Sequence, residues 1–428
     1  MKTPWEFLQY SRNKIKNTWK IAFVSAFVIG LLIHLPVMLS DIPNHDGLSS
    51  MYFDQNMITS GRWFLTVACG FSSYFTIPWV IGLIGLIWLA LTAAVLTEVL
   101  ELTDPVTITV VSGLLVSFPA LASTFAYVFT MDGYMLALFL AVLAVLFTAK
   151  YPRGYLAGAV CLAFSMGIYQ AYLPFTILLC VYKILLYFME EKGWKEKAKY
   201  VCHYLGMGIA GGVLYYVILQ ILLKLQGRVL DTYQGINSME QMGSGMGILA
   251  TIKEMYVDFL AFTVHGNVLV NNIFSLAACI ILVATVVFLV IRSMIWRKWW
   301  KNPAFFVIMI LLGISMPLLT NVILLISPNL TYHLLMRYQW VLYLILMTAF
   351  ADRYTAEESR TDVVLQWAAL CAAVVLVFDY GISDNIGYSN LEKKYEKTYA
   401  YCVRLLDRIE QTPGYYQGIP IALVGVIG

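Results

Sequence analysis

Apolar runs long enough to cross a lipid bilayer recur along the whole length of this chain. A run of about 18 or more apolar residues indicates a transmembrane helix, and about eleven such runs are present. They centre near Val28, Ile87, Leu114, Ala141, Ala163, Leu179, Gly212, Ile281, Leu312, Leu344 and Val374. Charged residues make up only 12% of the 428 residues, well below the share in a soluble domain. The sequence therefore predicts an all-α polytopic membrane protein of about eleven transmembrane helices.

Lysine and arginine are distributed unevenly between the loops that join these runs. They concentrate in the N-terminal segment and in the stretches "KYPRG", "EEKGWKEKAK" and "IRSMIWRKWWK", which fall on one side when the spans alternate. Because cytoplasmic loops carry the excess of basic residues, we predict a cytoplasmic N-terminus and an extracytoplasmic C-terminus. The net charge is only +3, and the basic residues flank the spans. The lipid bilayer is therefore an expected partner and nucleic acid is not.

The loop after the first span places charged residues between two apolar runs. The stretch "LSDIPNHDGLSSMYFDQNMITSGRWF", residues 39–64, holds three aspartates, a histidine and an arginine. Apolar residues recur at helical spacing on both sides of Gly61, where the pattern breaks. We therefore predict that this first outer loop, residues 41–76, contains short amphipathic helices that lie on the membrane surface.

Three residues of this loop are candidates for the catalytic chemistry. Asp46, in "NHDG", lies just beyond the first span, where partial shielding from water can tune a carboxylate as a general base. The alternative role of Asp46 is to cap the following helix. Asp41 is also a candidate, and its alternative is a structural role in an interfacial loop. His45 beside Asp46 suggests a metal, but a metal site needs three or four converging ligands. We therefore expect no cofactor, with a divalent cation as the alternative.

Five residues near the predicted outer ends of other spans are candidates for binding a substrate. Arg62, in "GRWF", and Arg337, in "HLLMRYQW", each present paired donors that suit a phosphate. The alternative for both is snorkelling toward lipid headgroups. Asp132, in "FTMDGYM", could instead cap the fourth span, and Tyr169 could belong to an aromatic belt. Gln170 needs a hydrogen-bond partner, either on a neighbouring helix or on a ligand.

The character of the chain changes at residue 384. The stretch "NLEKKYEKTYAYCVRLLDRIEQ" predicts an amphipathic helix, and "IPIALVGVIG" after it predicts a buried strand. We interpret residues 384–428 as the start of a small extracytoplasmic αβ region. A lone strand cannot pair its own edges, so we expect this region to be truncated here. Residues 1–383 form the predicted transmembrane catalytic module.

With these residues in view, the chain resembles the GT-C superfamily of membrane glycosyltransferases. More narrowly, it resembles the bacterial glucosyltransferase family that includes the phage-encoded O-antigen glucosylation enzymes. The resemblance is carried by "NHDGL" and "SGRWF" in the first outer loop, by "YQAYLPF", and by "MRYQW". In many members two acids stand together in the first outer loop, and here His45 occupies the place of the first.

The resemblance implies a GT-C fold and an inverting glycosyltransferase of the bacterial cytoplasmic membrane. Such an enzyme moves a sugar, glucose or another hexose, from a polyprenyl-phosphate-linked donor to a cell-surface polysaccharide on the outer side. A phosphate leaves readily when cations compensate its charge, so a single base suffices to accept the proton of the acceptor hydroxyl.

A polytopic transporter or a lipid or polysaccharide flippase is the alternative function. Such proteins usually place charged or helix-breaking residues near the middle of the membrane. The predicted spans of this chain are nearly free of charge, and the charged candidate residues lie near the outer surface instead. This distribution favours the enzyme.

Overall fold

The computed structural model describes residues 3–40, 55–70, 77–190, 192–231, 247–296, 298, 303–327, 330–354, 359–422 and 424. Within these residues the regular structure is helical and no β-strand is formed. The α-helices in chain order are α1 (Pro4–Lys14), α2 (Asn17–Leu39), α3 (Leu65–Ala68), α4 (Pro78–Leu100), α5 (Pro105–Ser117), α6 (Pro119–Phe125), α7 (Met131–Lys150), α8 (Gly154–Ile168), α9 (Leu173–Phe188), α10 (Trp194–Gln226), α11 (Ile248–His265), α12 (Ile273–Trp296), α13 (Pro303–Thr320), α14 (Val322–Ile326), α15 (Val341–Tyr354) and α16 (Arg360–Glu410). In the same described part of the chain, 3₁₀ segments lie between them at Ile58–Ser60, Val128–Thr130, Gln170–Tyr172 and Leu334–Trp340.

Many of these helices have the length and composition of membrane spans. Among the described residues, 8 helices are long and apolar enough to cross a membrane, or 9 if α5 and α6 are one bent span. Two shorter apolar helices, at Gly154–Ile168 and Phe306–Thr320, accompany them. Each predicted span centre lies in one of these helices. The protein is thus a multi-pass membrane protein whose described part is all-α, while the predicted number of spans stays a prediction.

The bend between α5 and α6 follows from the local sequence. Asp104 caps α5 by accepting the N–H of Thr107 at 2.7 Å, and Pro105 occupies the first turn, where a missing N–H costs nothing. Pro119 then begins α6, and Phe118 before it is extended, with φ −69° and ψ 130°. A residue before proline disfavours the helical conformation. The chain therefore turns by 52° at this point.

Charged side chains from distant parts of the chain meet at one end of the bundle, which we call the Lys150 end. Glu98, at the end of α4, accepts hydrogen bonds from Lys16 and Lys150 at 2.7 Å each. Glu101, just beyond α4, accepts from Lys183 at 2.6 Å and from Arg353 at 2.8 Å. Burial alone would raise the pKa of Glu101, but the two cations hold it below its ordinary value of 4.5.

The predicted basic flanks therefore lie together at the Lys150 end. Arg292, at the end of α12, joins them by donating to the backbone oxygen of Tyr354 at 3.3 Å. Because α7 runs from Met131 to Lys150, its other terminus defines the opposite end of the bundle, which we call the Arg62 end. The compartment that each end faces stays a prediction.

Helix α16 is bound to the bundle through His34 of α2. The backbone oxygen of Val116 can only accept, so the ring Nε2 of His34, at 2.8 Å, donates to it. The Nδ1 atom then accepts from the hydroxyl of Tyr388 of α16 at 2.7 Å. Beyond Tyr388 the side chains of α16 are mostly exposed. With 51 residues, the helix is about 75 Å long and extends far past a hydrocarbon core of about 30 Å.

Two predicted secondary-structure features are only partly covered by the described residues. In the first outer loop, residues 41–54 and 71–76 lie outside them, and the part between contains the 3₁₀ segment Ile58–Ser60 and the short helix α3. At the C-terminus the predicted amphipathic helix is the last part of α16. Residues 418–422 and 424 form no strand, so the αβ region stays a prediction.

Candidate functional site

A tight turn at the Arg62 end presents Arg62. The backbone N–H groups of Gly61 and Arg62 donate to Ile58 and Met57 at 2.9 and 3.0 Å. Gly61 has a φ of 78°, in the left-handed region that glycine adopts without strain. A Cβ on Gly61 would lie 2.5 Å from the hydroxyl oxygen of Tyr215. The turn therefore needs glycine both for its backbone angle and for the close approach of α10.

Gln170 holds this turn in place. Its Nε2 donates to the backbone oxygen of Ser60 at 3.1 Å and to the hydroxyl of Tyr215 at 3.0 Å. Tyr215 in turn donates to the backbone oxygen of Gly61 at 3.0 Å. The partner that the sequence requires for Gln170 is thus the turn itself together with α10. Contact of Gln170 with a substrate stays a prediction.

The structure brings Arg62 and Tyr169 together. The guanidinium of Arg62 lies 5.1 Å from the ring centre of Tyr169, a distance at which cation and ring attract each other. Its Nη1 donates to the hydroxyl of Tyr134 at 3.0 Å. The rings of Tyr134 and Tyr169 stack at 4.1 Å. Tyr134 is therefore a member of this cluster that sequence reasoning missed.

Tyr169 does not belong to an aromatic belt. Its side chain is only 2% exposed, whereas belt residues face the lipid headgroups. Burial also raises the pKa of Tyr169 well above its ordinary value of 10.0. The phenol therefore stays neutral and offers its ring, rather than a charge, to Arg62.

Asp132 lies at the start of α7, in the same helical turn as Tyr134. It is buried, and one of its oxygens accepts the N–H of Gly133 at 2.9 Å. The N-cap position of α7 is occupied by Thr130, so Asp132 is not the capping residue. A negative charge is nevertheless favourable in the first turn of a helix. A role for Asp132 in substrate binding stays a prediction.

Arg337 lies in the 3₁₀ segment before α15 and is enclosed by protein. Its Nη1 and Nη2 donate to the two carboxylate oxygens of Asp258 at 2.7 Å each, and its Nε donates to the backbone oxygen of Tyr332 at 3.2 Å. The guanidinium lies 3.9 Å from the ring centre of Tyr332 and 4.7 Å from that of Phe262. Only 11% of the side chain is exposed. This arrangement is not snorkelling.

Asp258 of α11 is the second residue that sequence reasoning missed. Besides Arg337, it accepts a hydrogen bond from Nδ2 of Asn321 at 3.1 Å. The signal in the sequence is a lone acid within the apolar and aromatic stretch "MYVDFLAF". A carboxylate in such surroundings needs a partner, and Arg337 supplies it.

A row of aromatic rings connects the Arg62 and Arg337 clusters. Tyr169 lies 5.4 Å from Tyr172, whose ring is 6.3 Å from that of Tyr338, the residue after Arg337. Phe175 stacks on Tyr338 at 5.7 Å. Both arginines therefore lie at the Arg62 end, opposite the basic Lys150 end.

The predicted catalytic residues Asp41, His45 and Asp46 lie outside the described residues. The structure therefore does not test their placement or their roles. In the part of the chain that it does describe, no group of three or more histidine, cysteine, aspartate or glutamate side chains could hold a metal ion.

Comparison with known proteins identifies the family. No similar protein of curated function and no similar solved structure was found for this chain. The family model described as Glucosyl transferase GtrII matches residues 35–351, which is more than half of the chain and includes both arginine clusters. The protein therefore belongs to the GtrII glucosyl transferase family, as the motifs of its sequence predict.

Proposed function

We propose that this protein is an inverting glycosyltransferase of the bacterial cytoplasmic membrane. It moves a sugar, glucose or another hexose, from a polyprenyl-phosphate-linked donor to a cell-surface polysaccharide on the outer side. The observation that carries the proposal is the placement of Arg62 and Arg337 at one end of an apolar bundle, in a chain of the glucosyl transferase family. The GT-C fold implied by the sequence motifs agrees with this placement.

The distribution of charge supports an outward site. The Lys150 end gathers the basic loops and, by the positive-inside rule, faces the cytoplasm. The Arg62 end then faces outward, where nucleotide sugars are scarce. A sugar on a polyprenyl phosphate suits this side, because its chain stays in the bilayer and its phosphate lies at the interface.

In this proposal the arginines bind the donor phosphate and Asp46 acts on the acceptor. Asp46, with Asp41 and His45 before it in the same loop, takes the proton of the acceptor hydroxyl. The hydroxyl oxygen attacks the anomeric carbon as the bond to the phosphate oxygen breaks, and polyprenyl phosphate leaves with the electron pair. Arg62 and Arg337 compensate the charge that develops on the phosphate. One such displacement inverts the anomeric centre.

The ion pair with Asp258 adds a step to this scheme. Both Nη atoms of Arg337 are already engaged by the carboxylate, which resembles a phosphate in charge and spacing. The donor phosphate therefore takes its place at Arg337 by exchange with Asp258.

Sugar transfer by an enzyme and lipid transport by a flippase can be distinguished in proteoliposomes that contain the purified protein. We expect label from radiolabelled polyprenyl-phosphate glucose to appear in an added acceptor polysaccharide. Movement of the intact labelled lipid between leaflets, without transfer, would instead favour the flippase alternative. The bend between α5 and α6 is a feature that a transporter would also show, so both readouts belong in the same experiment.

A further inference from the structure

Two buried amide side chains beside Arg337 each carry an oxygen without a hydrogen-bond partner. Asn321 lies between α13 and α14, and Gln339 lies two residues after Arg337. Both side chains are buried, and among the residues that the structure describes none donates to Oδ1 of Asn321 or to Oε1 of Gln339. Buried polar atoms are nearly always hydrogen-bonded, and an unpartnered one is costly. A ligand that brings hydrogen-bond donors would satisfy both oxygens.

Neighbouring acceptors fix the orientation of both amides. Nδ2 of Asn321 donates to the backbone oxygen of Met255 at 2.8 Å and to Oδ2 of Asp258 at 3.1 Å. Nε2 of Gln339 donates to the backbone oxygen of Thr320 at 3.0 Å. Carbonyl and carboxylate oxygens can only accept, so turning either amide over would set two acceptors against each other. The atoms that remain without a partner are therefore the amide oxygens.

The ion pair of Arg337 and Asp258 connects these amides to the surface. Oδ2 of Asp258 accepts both from Nη1 of Arg337 at 2.7 Å and from Nδ2 of Asn321. Gln339 bonds to the backbone oxygen of Thr320, the residue before Asn321. The side chain of Asp258 is 23% exposed, whereas the two amides are buried. The network therefore runs inward from the partly exposed ion pair to the two amides.

A sugar phosphate matches this order of groups. In the proposed function the donor phosphate takes the place of Asp258 at Arg337. A single oxygen joins that phosphate to the anomeric carbon, so the hexose ring comes to lie near the groups that surround the carboxylate. Each hydroxyl of a hexose can donate one hydrogen bond. The unpaired amide oxygens can accept such bonds, whereas the apolar side chains around Arg337 cannot.

We infer that Asn321 and Gln339 recognise hydroxyl groups of the donor hexose through Oδ1 and Oε1. The inference rests on the proposed function and names the residues that select and orient the sugar. A site that hydrogen-bonds a substrate hydroxyl discriminates strongly against an analogue that lacks it, because the buried acceptor is then left unpaired. The hydrogen bonds through Nδ2 and Nε2 hold each amide in position for this contact.

The experiment combines protein variants with deoxy sugars. The wild type is assayed for transfer with glucose and with each of its monodeoxy analogues, all on the same polyprenyl phosphate. Gln339→Leu and Asn321→Leu, which each remove one amide oxygen, are assayed in the same way. The matched control is Gln366→Leu, which removes an amide that donates to Asp352 at 3.4 Å, at the Lys150 end.

For the wild type we expect at least one deoxy donor to lose about tenfold or more in kcat/KM relative to glucose. In Gln339→Leu or Asn321→Leu the same missing hydroxyl should cost much less, because its partner on the protein is already gone. The control should keep the wild-type ratios between donors.

A wild type that uses every deoxy donor as well as glucose would overturn the inference, whether or not the variants fold. Variants that lose the same factor with every donor would also overturn it, since a purely structural role of the amides lowers all rates alike. Absence of transfer from every donor would instead overturn the proposed function itself. Melting temperatures show which variants are folded.

Discussion

Arg337 and Asp258 face each other so that each Nη atom of the guanidinium lies 2.7 Å from one oxygen of the carboxylate. This two-pronged geometry is the strongest form of an arginine–carboxylate contact. It joins α11 to the segment before α15, and the two residues are 79 positions apart in the sequence. The pair therefore fixes the position of α11 as well as the direction of the guanidinium.

The first prediction is that this pair contributes measurably to stability. A double-mutant cycle of Arg337→Ala and Asp258→Ala should give a coupling free energy of unfolding between about 0.5 and 3 kcal/mol. The control cycle uses Lys192 and Glu190, which are 2.8 Å apart but 39% and 40% exposed, and should give less than about 1 kcal/mol. Equal coupling in the two cycles would mean that enclosure of the Arg337 pair adds nothing.

The second prediction concerns the turn that presents Arg62. Gly61→Ala forces a left-handed backbone on alanine and places a Cβ 2.5 Å from the hydroxyl oxygen of Tyr215. We expect a loss of about 1–3 kcal/mol in the free energy of unfolding and reduced sugar transfer. The control is Gly208→Ala in α10, where no atom outside the local helix backbone lies within 4 Å of the new Cβ and alanine favours the helix. Wild-type stability in Gly61→Ala would contradict the structural role of the turn.

The third prediction concerns the acid side of the stability profile. The pKa of Glu101 is lowered in the folded protein, so its contribution is present above the unfolded value of 4.5 and is lost as pH falls below it. Glu101→Gln should therefore lower the melting temperature in detergent at pH 7, and the difference from wild type should shrink toward pH 3. A difference that is constant with pH would show that the carboxylate charge is not involved.

Much of this fold can be predicted from local sequence because the length of an apolar run is a local property. Each span centre lies in a helix, and the basic flanks at Lys16, Lys150 and Arg292 do meet at one end. The same reasoning places Arg62 and Tyr169 at the opposite end, because each lies near the predicted outer end of a span. Their contact at 5.1 Å is then a consequence of topology.

The partners of these residues could not be predicted, because they depend on contacts between distant segments. Asp258 could equally have faced lipid headgroups, and only the packing of α11 brings it to Arg337. The sequence does not distinguish Tyr134 from the many other aromatic residues. Its contact with Arg62 follows from the packing of α7 beside the Gly61 turn. In the same way, the hydrogen bond from Gln170 to Ser60 joins residues 110 positions apart.

The fourth prediction tests which side of the membrane each end of the bundle faces. Val229 is 81% exposed and lies near Asp231, whose N–H donates to Thr59 of the first loop at 2.8 Å. In a background in which the exposed Cys202, Cys371 and Cys402 are replaced by serine, Val229→Cys should react with an impermeant thiol reagent in intact cells. Lys195→Cys, at the start of α10, should react only after the cells are opened. The reverse pattern would exclude an outward site.

The last prediction concerns Asp46, whose role rests on the sequence. As general base its carboxylate must accept a proton from the acceptor hydroxyl, so Asp46→Asn should keep the fold and lower the transfer rate roughly 10²- to 10⁴-fold. A helix cap, its alternative role, is worth only about 1 kcal/mol of stability, and a cap variant would melt earlier while keeping most of its activity. The measurement is therefore a pair, the transfer rate and the melting temperature of the same preparation. Asp41→Asn is the matched control in the same loop and should be much milder. A loss smaller than about tenfold in Asp46→Asn would fall short of the smallest effect of a general base. The base would then be Asp41 or the buried Asp132.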